Sequence, residues 1–93
     1  MVYDMRIDKI RISPEVQEKI FKKHKVLRDE IENAFFDEPY YFKDRGGRYV
    51  AIGFIDCYVT VVFEFDKGCA DVVTAYRSSE WQRKLYKVKR WKK

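Results

Sequence analysis

Three strand-like segments that follow one another between residues 49 and 77 limit the possible folds more than any other feature of the sequence. They are predicted at Tyr49 to Ile55, Cys57 to Phe65 and Cys69 to Arg77, where β-branched and aromatic residues are concentrated. Gly46-Gly47 marks a turn before the first segment, since paired glycines adopt positive φ angles without steric cost. The short turn Asp66-Lys67-Gly68 requires the last two strands to form an antiparallel hairpin. The chain is therefore expected to contain a small antiparallel sheet.

The length of the hairpin turn also predicts a strand register. With a three-residue loop, Val61 would lie opposite Val73, and Thr60 opposite Thr74, to within one residue. The register matters because side chains alternate between the two faces of a sheet. A shift of one residue therefore moves a side chain to the other face.

Two helices are predicted before residue 39. The first starts at Ser13-Pro14-Glu15, which supplies a serine cap, a proline at the first helical position and an acid in the first turn. It ends at His24-Lys25, and the second helix ends before Pro39, because the residue before a proline disfavours helical geometry. Apolar side chains recur at helical spacing in both, at Val16, Ile20 and Phe21 in the first and at Val26, Leu27, Ile31, Ala34 and Phe35 in the second.

The remaining elements complete an α+β domain. Loose alternation predicts a strand from Met5 to Ile12, and Tyr40 to Lys43 has the composition of a short extended segment. A last helix is predicted from about Glu80 to Trp91, with its cap at Ser78 or Ser79. The order β-α-α-β-β-β-α over residues 1–93 describes a single domain whose helices pack on a small antiparallel sheet.

The last helix has two different faces. Trp81, Leu85 and Val88 recur at helical spacing and are predicted to dock on the sheet, while Arg83, Lys87 and Arg90 form a basic ridge. Residues 77–93 carry eight Lys or Arg against one acid in a chain of net charge +5, so residues 1–76 carry a net charge of −2. Such a localised cationic segment is typical of contact with a phosphate-rich partner, or of a solvated basic helix.

The composition excludes several classes of protein. Cys57 and Cys69 are too few for a disulfide framework, and together with one His they fall short of a four-ligand zinc site. We therefore expect free thiols and no metal or other cofactor. No stretch reaches the roughly 20 apolar residues of a membrane span, and no signal-peptide pattern opens the chain, so a soluble cytoplasmic protein is expected. Charged residues make up 38% of the chain while Asn and Gln are scarce, a composition typical of thermophiles.

Several short strings resemble toxins of the RelE/ParE superfamily, and in particular its BrnT branch. The string Val72 to Arg77 is similar to a last-strand string of the wider barnase/EndoU/colicin/RelE group of ribonuclease folds. Tyr76 stands where BrnT-like sequences tend to have Arg, and Arg77 follows it. The other matching strings are Lys23-His24, Phe36-Asp37-Glu38-Pro39, Gly47-Arg48 and Val61-Val62-Phe63-Glu64, followed by a basic last helix with Arg83 and Tyr86.

The resemblance implies a RelE-like toxin fold and an endoribonuclease that cuts mRNA, free or bound to the ribosome. It also implies a cognate antitoxin protein that covers the toxin. In the RelE type of cleavage, Arg, Lys and Tyr side chains often replace a pair of histidines. The reaction needs a base for the ribose 2′-hydroxyl, cations around the phosphate and an acid for the leaving oxygen, and it requires no metal ion.

The chain has residues for each of these tasks. Arg77 and Arg83 would meet a phosphate at the N-terminus of the last helix, where free backbone N–H groups favour an anion. Structural roles are the alternatives: Tyr76 as an aromatic residue at the edge of the core, and His24 as a helix-ending residue favoured by the helix dipole. The catalytic candidates are Arg77, Arg83, Tyr76, Tyr86, Thr74 and His24, and the RNA-binding candidates are Arg48, Lys84, Lys87 and Arg90.

Two other functions fit the same basic helix. A non-catalytic nucleic-acid-binding module, or an inactive relative of the toxins, would use the cations for phosphates and Trp81 or Trp91 for base stacking. An interaction protein would use the cations to receive an acidic partner segment. Loss of activity at single positions would indicate an enzyme, whereas a gradual loss of affinity with each cation removed would indicate a binding module.

Overall fold

The computed structural model describes residues 7–36, 39–44, 46–54 and 57–91. The predicted α+β class is confirmed, and the segment at residues 40–43 adds one strand to the predicted order. The N-terminal strand is short, and residues 5 and 6 of its predicted range lie outside the described part of the chain. The elements in chain order are β1 Lys9–Arg11, α1 Pro14–His24, α2 Arg28–Phe36, β2 Tyr40–Lys43, β3 Tyr49–Phe54, β4 Tyr58–Asp66, β5 Cys69–Arg77 and α3 Glu80–Trp91.

The five strands form one sheet in the order β1-β5-β4-β3-β2. The four later strands pair antiparallel, as predicted, but β1 runs parallel to β5, with Lys9 opposite Cys69 and Arg11 opposite Asp71. The backbone N–H groups of Asp8 and Lys9 also donate to the Gly68 carbonyl, at 2.8 and 3.1 Å. Short turns force antiparallel pairing only between neighbouring strands, and α1 and α2 separate β1 from the others. The sheet is consequently mixed rather than purely antiparallel.

The predicted hairpin register is wrong by two residues. The turn accounts for one residue of this shift and a bulge in β5 for the other. The turn between β4 and β5 contains two residues, Lys67 and Gly68, whose φ angles of 48° and 80° meet the requirement of a type I′ turn. A bulge then leaves Val73 without a partner in β4. Thr60 therefore lies opposite Tyr76, and β5 presents Tyr76 on one face of the sheet.

The sheet is covered on both faces. The larger core lies under α1 and α2, where Ile20, Ile31 and Phe35 pack against buried residues of the sheet such as Phe63. Gly53 of β3 allows α2 to approach, because a Cβ there would lie 2.7 Å from the Cα of Ala34. The smaller core lies under α3 and contains Val50, Ile52 and Tyr86.

The start of α1 is confirmed. The Val16 N–H donates to the Ser13 hydroxyl at 3.2 Å, and Lys25 ends the helix in the left-handed region with a φ of 56°. No helix in the described ranges has the length and apolar character needed to cross a bilayer. Within the described residues, neither Cys57 nor Cys69 forms a disulfide.

The predicted docking face of α3 is wrong. Trp81 and Val88 are 59% and 52% exposed, whereas Gln82 and Tyr86 are 3% and 8% exposed and face the sheet. Leu85 is half-buried between these two sets. The hydrophobic pattern missed this orientation because Gln82 is polar, and a polar side chain is buried only when hydrogen bonds satisfy it.

Candidate active site

A buried polar cluster joins β4 and β5 to the start of α3. The side-chain nitrogen of Gln82, Nε2, donates to the Tyr76 hydroxyl at 2.9 Å. The Gln82 carbonyl oxygen, Oε1, accepts from the Thr60 hydroxyl at 3.0 Å and from the Ser79 backbone N–H at 2.9 Å. Thr60 is fully buried, and the two hydroxyls of Thr60 and Ser78 lie 2.6 Å apart. The cluster therefore holds the Tyr76 hydroxyl by the hydrogen bond from Gln82.

The same glutamine also begins the helix. The Arg83 N–H donates to the Ser79 carbonyl at 3.0 Å, which makes Ser79 the N-cap residue and Gln82 the third residue of α3. The bond from the Ser79 N–H to Gln82 is then the returning half of a capping box. One of the two predicted caps, Ser79, is thus confirmed, while the Ser78 N–H bonds to the Tyr58 carbonyl at 3.0 Å.

His24 and Tyr76 lie side by side although they are distant in the sequence. Their ring centroids are 5.9 Å apart, and the rings are inclined by 52°. The reason is topological: within the described residues β1 pairs with residues 69–71 of β5, and α1 then packs against β5 and ends beside its C-terminal half. Both side chains are half-buried. An imidazole and a phenol, two groups that exchange protons, therefore share one place at the end of β5.

Arg77 is held on the opposite face of the sheet. Its guanidinium donates to the Glu30 carboxylate, to the Cys57 sulfur and, at 3.4 Å, to the Lys25 carbonyl. Burial raises the pKa of Glu30, but hydrogen bonds from Leu27, Arg77 and Cys57 and the charge of Arg77 outweigh it, and the pKa is lowered overall. The structure thus ties Arg77 to α2 and does not bring its guanidinium to Tyr76 or to Arg83 at the start of α3.

The cations of α3 form an exposed surface. Arg83, Lys84 and Lys87 are all exposed, and among the described residues Arg83 forms no ion pair. Lys84 pairs with Glu80 at 3.3 Å, and the Lys87 ammonium lies 5.9 Å from the centre of the Tyr58 ring. The side chain of Arg90 lies outside the described residues. The predicted basic ridge is therefore present at Arg83 and Lys87.

Two other candidates lie elsewhere or serve packing. Tyr86 is buried against Tyr58, with ring centroids 5.7 Å apart, so its ring belongs to the smaller core. Arg48 lies in the turn before β3, and its guanidinium is 3.9 Å from Glu64. Glu64 is four residues along β4 from Thr60, about 13 Å at the usual rise of a strand, so Arg48 is remote from the cluster.

Thr74 is the remaining predicted residue. It lies opposite Val62 on the same face as Tyr76, two residues earlier in β5, and it is half-buried. The structure therefore brings Thr74, Tyr76 and His24 to one end of the sheet, with Arg83 on the adjoining helix.

The cluster includes residues that sequence reasoning missed. Gln82, Thr60 and Ser78 were not candidates, and neither was Glu30, the partner of Arg77. Ser79-Glu80-Trp81-Gln82 has the spacing of a capping box, and that string was the available signal for Gln82. Within the described ranges, no group of three or more His, Cys, Asp and Glu side chains lies together as a metal site requires.

The fold matches that of a solved toxin. The crystal structure of the Brucella abortus ribonuclease toxin BrnT superposes with a TM-score of 0.63 at 18% sequence identity, over 77% of this chain and 97% of that chain. This chain has a BrnT-like toxin fold. The predicted resemblance is thereby confirmed at the level of the fold. Comparison with protein-family models and with curated protein sequences gives no match.

Proposed function

We propose that this chain is the toxin of a toxin–antitoxin pair and cuts mRNA as a metal-independent endoribonuclease. The observation that carries the proposal is the pairing of His24 with Tyr76, 5.9 Å apart, beside a basic helix in a BrnT-like fold. A proton-accepting and a proton-donating group next to exposed cations are what RNA cleavage needs from a protein.

The reaction follows from these groups. A base takes the proton of the ribose 2′-hydroxyl, and the 2′-oxygen then attacks the adjacent phosphorus. The bond from phosphorus to the 5′-oxygen breaks, and an acid gives that oxygen a proton. The products are a 2′,3′-cyclic phosphate and a free 5′-hydroxyl. His24 and Tyr76 are the pair that transfers protons, and Arg83 stabilises the negative charge on the phosphate.

The remaining cations of α3 bind the phosphates of the RNA backbone. Lys84 and Lys87 are exposed beside Arg83, and Arg90 follows in the same helix. Thr74 is half-buried on the same face of β5 as Tyr76 and is a further candidate for contact with RNA. Arg77, Tyr86 and Arg48 are not part of the catalytic set that we propose, because Glu30, the smaller core and Glu64 hold them elsewhere.

A cognate antitoxin would bind over the same cations. An acidic segment of that protein would compete with RNA for the exposed face of α3, and binding would then inhibit cleavage. In this function the protein acts in the cytoplasm, on mRNA that is free or bound to the ribosome.

The proposal is tested by cleavage of a labelled mixed RNA in EDTA, with and without added ribosomes. Tyr76→Phe and His24→Gln are each expected to lower the rate about 100-fold or more, the usual contribution of a general acid or base. Tyr40→Phe is the matched control, because Tyr40 is a half-buried tyrosine in β2, at the opposite edge of the sheet from β1. Equal rates for Tyr76→Phe and Tyr40→Phe would contradict the proposal.

A second candidate function is a nucleic-acid-binding module without catalysis. Trp81 favours it, because its side chain is 59% exposed and lies 6.5 Å, centroid to centroid, from the Phe42 ring, beside the cations of α3. Exposed aromatic rings among cations are typical of single-strand binding surfaces. RNA binding that weakens steeply with salt and on Trp81→Ala, without any cleavage, would establish this function instead.

A further inference from the structure

The neighbours of Gln82 decide which way its amide faces. A backbone N–H can only donate, so the Gln82 atom that lies 2.9 Å from the Ser79 nitrogen is the carbonyl oxygen. The amide nitrogen must then face Tyr76, at 2.9 Å. Because that nitrogen can only donate, the Tyr76 oxygen accepts, and the hydroxyl proton of Tyr76 is left for another acceptor.

The same reasoning fixes which of the Thr60 and Ser78 hydroxyls donates in each hydrogen bond. The Gln82 carbonyl oxygen can only accept, so the Thr60 hydroxyl donates its single proton to that oxygen, at 3.0 Å. In the 2.6 Å contact between the Thr60 and Ser78 hydroxyls, Ser78 is then the donor. Hydrogen bonds thus run from Ser78 through Thr60 and Gln82 to Tyr76, and Thr60 and Gln82 are buried while Tyr76 reaches the surface.

We propose that Gln82 is a positioning residue that turns the hydroxyl proton of Tyr76 outward, so that Tyr76 donates it to the phosphodiester of a bound RNA. This rests on the proposed function. Gln82 is 3% exposed and cannot contact RNA itself, so it acts through Tyr76. The outward proton is given to a phosphate oxygen or to the leaving 5′-oxygen, and His24 is left as the base for the 2′-hydroxyl.

Gln82→Glu tests the direction of the bond while keeping the shape of the side chain. One carboxylate oxygen still accepts from Ser79 and Thr60, but the other now accepts the proton of Tyr76 and turns it inward. We expect Gln82→Glu to lose about 100-fold or more in cleavage rate, as Tyr76→Phe does. The double variant should lose no more than either single one, because both remove the same donated proton.

Gln82→Met separates this role from helix capping. Methionine loses all three hydrogen bonds, whereas glutamate keeps two of them, so a purely structural role makes Gln82→Met the less active variant. The proposal predicts the reverse order, because methionine offers no acceptor to Tyr76. Lowering the pH should also restore Gln82→Glu relative to wild type, since a protonated glutamate donates as the amide does. The opposite order, or additive losses in the double variant, would overturn the proposal.

A measurement without RNA distinguishes a failure of the positioning role from a failure of the proposed function. The ¹³Cζ resonance of Tyr76, assigned by its absence in Tyr76→Phe, reports whether the hydroxyl accepts or donates a hydrogen bond. It is expected to move in Gln82→Glu and to return towards the wild-type position as the pH falls. If the wild type cleaves no RNA but the resonance moves, only the proposed function fails. An unchanged resonance overturns the positioning role.

Discussion

At the scale of single residues, the contrast between Tyr76 and Arg77 explains most of the site. Neighbouring residues in a strand point to opposite faces, so Tyr76 meets Gln82 and His24 while Arg77 meets Glu30. The alternation itself can be predicted from the sequence. The partners of Tyr76 and Arg77 on the two faces cannot be predicted in this way, because they come from elements far away in the chain.

The ion pair of Arg77 and Glu30 should stabilise the fold only above acidic pH. The folded-state pKa of Glu30 is lowered, so its contribution is complete above about pH 4.5 and is lost as the pH falls through the lower folded value. We expect Arg77→Gln to cost on the order of 1 kcal/mol at pH 7, since Arg77 is 47% exposed, and less at pH 3.

Urea denaturation at both pH values measures this difference. Arg11→Gln is the control, because the pair of Arg11 with Asp71 is longer, at 3.6 Å, and more exposed. An equal loss for Arg77→Gln at pH 7 and pH 3 would show that the pairing with Glu30 contributes nothing.

Tyr41 should make the fold sensitive to alkali. Burial raises the pKa of Tyr41 from 10.0 to about 12, so the folded state resists loss of the hydroxyl proton. Its stabilising effect is complete below pH 10 and is lost as the pH rises towards 12. Tyr41→Phe should therefore keep on the order of 1–2 kcal/mol of unfolding free energy that the wild type loses over this range. Denaturation of the wild type and of Tyr41→Phe at pH 10 and at pH 12 measures this difference. The same change in unfolding free energy for both proteins between the two pH values would contradict the expectation.

At the scale of elements, local signals predicted what lies next to them in sequence. The bounds of α1, β5 and α3 are as expected, because caps, turns and prolines set them. The parallel pairing of β1 and the docking face of α3 were not predicted. Both depend on long-range packing, and α3 buries Gln82 because residues of β4 and β5 supply its hydrogen-bond partners.

The contact between α2 and β3 depends on the absence of a side chain at Gly53. In Gly53→Ala the new Cβ would lie 2.7 Å from the Cα and 2.8 Å from the carbonyl oxygen of Ala34, so the helix must shift. We expect a loss of about 1–3 kcal/mol in the free energy of unfolding. Gly46→Ala is the matched control, since its Cβ would meet nothing closer than 3.5 Å. Equal stability of the two variants would contradict the close approach.

At the scale of the whole molecule, the three layers bring chemistry from three regions to one end of the sheet. α1 supplies His24, β5 supplies Tyr76, and α3 supplies Gln82 and the cations. The sequence predicted His24 and Tyr76 as separate candidates and localised the charge on the last helix. It did not predict their meeting, because the edge position of β1 that guides α1 past β5 is a property of the assembled sheet.

The most direct test of the account is the chemistry of the RNA ends produced in EDTA by the purified chain. The account predicts 2′,3′-cyclic phosphate and 5′-hydroxyl ends from the wild type and from Tyr40→Phe, and almost none from Tyr76→Phe. Cleavage that stops in EDTA, or that leaves 3′-hydroxyl and 5′-phosphate ends, would contradict it, as would RNA left intact even in the presence of ribosomes.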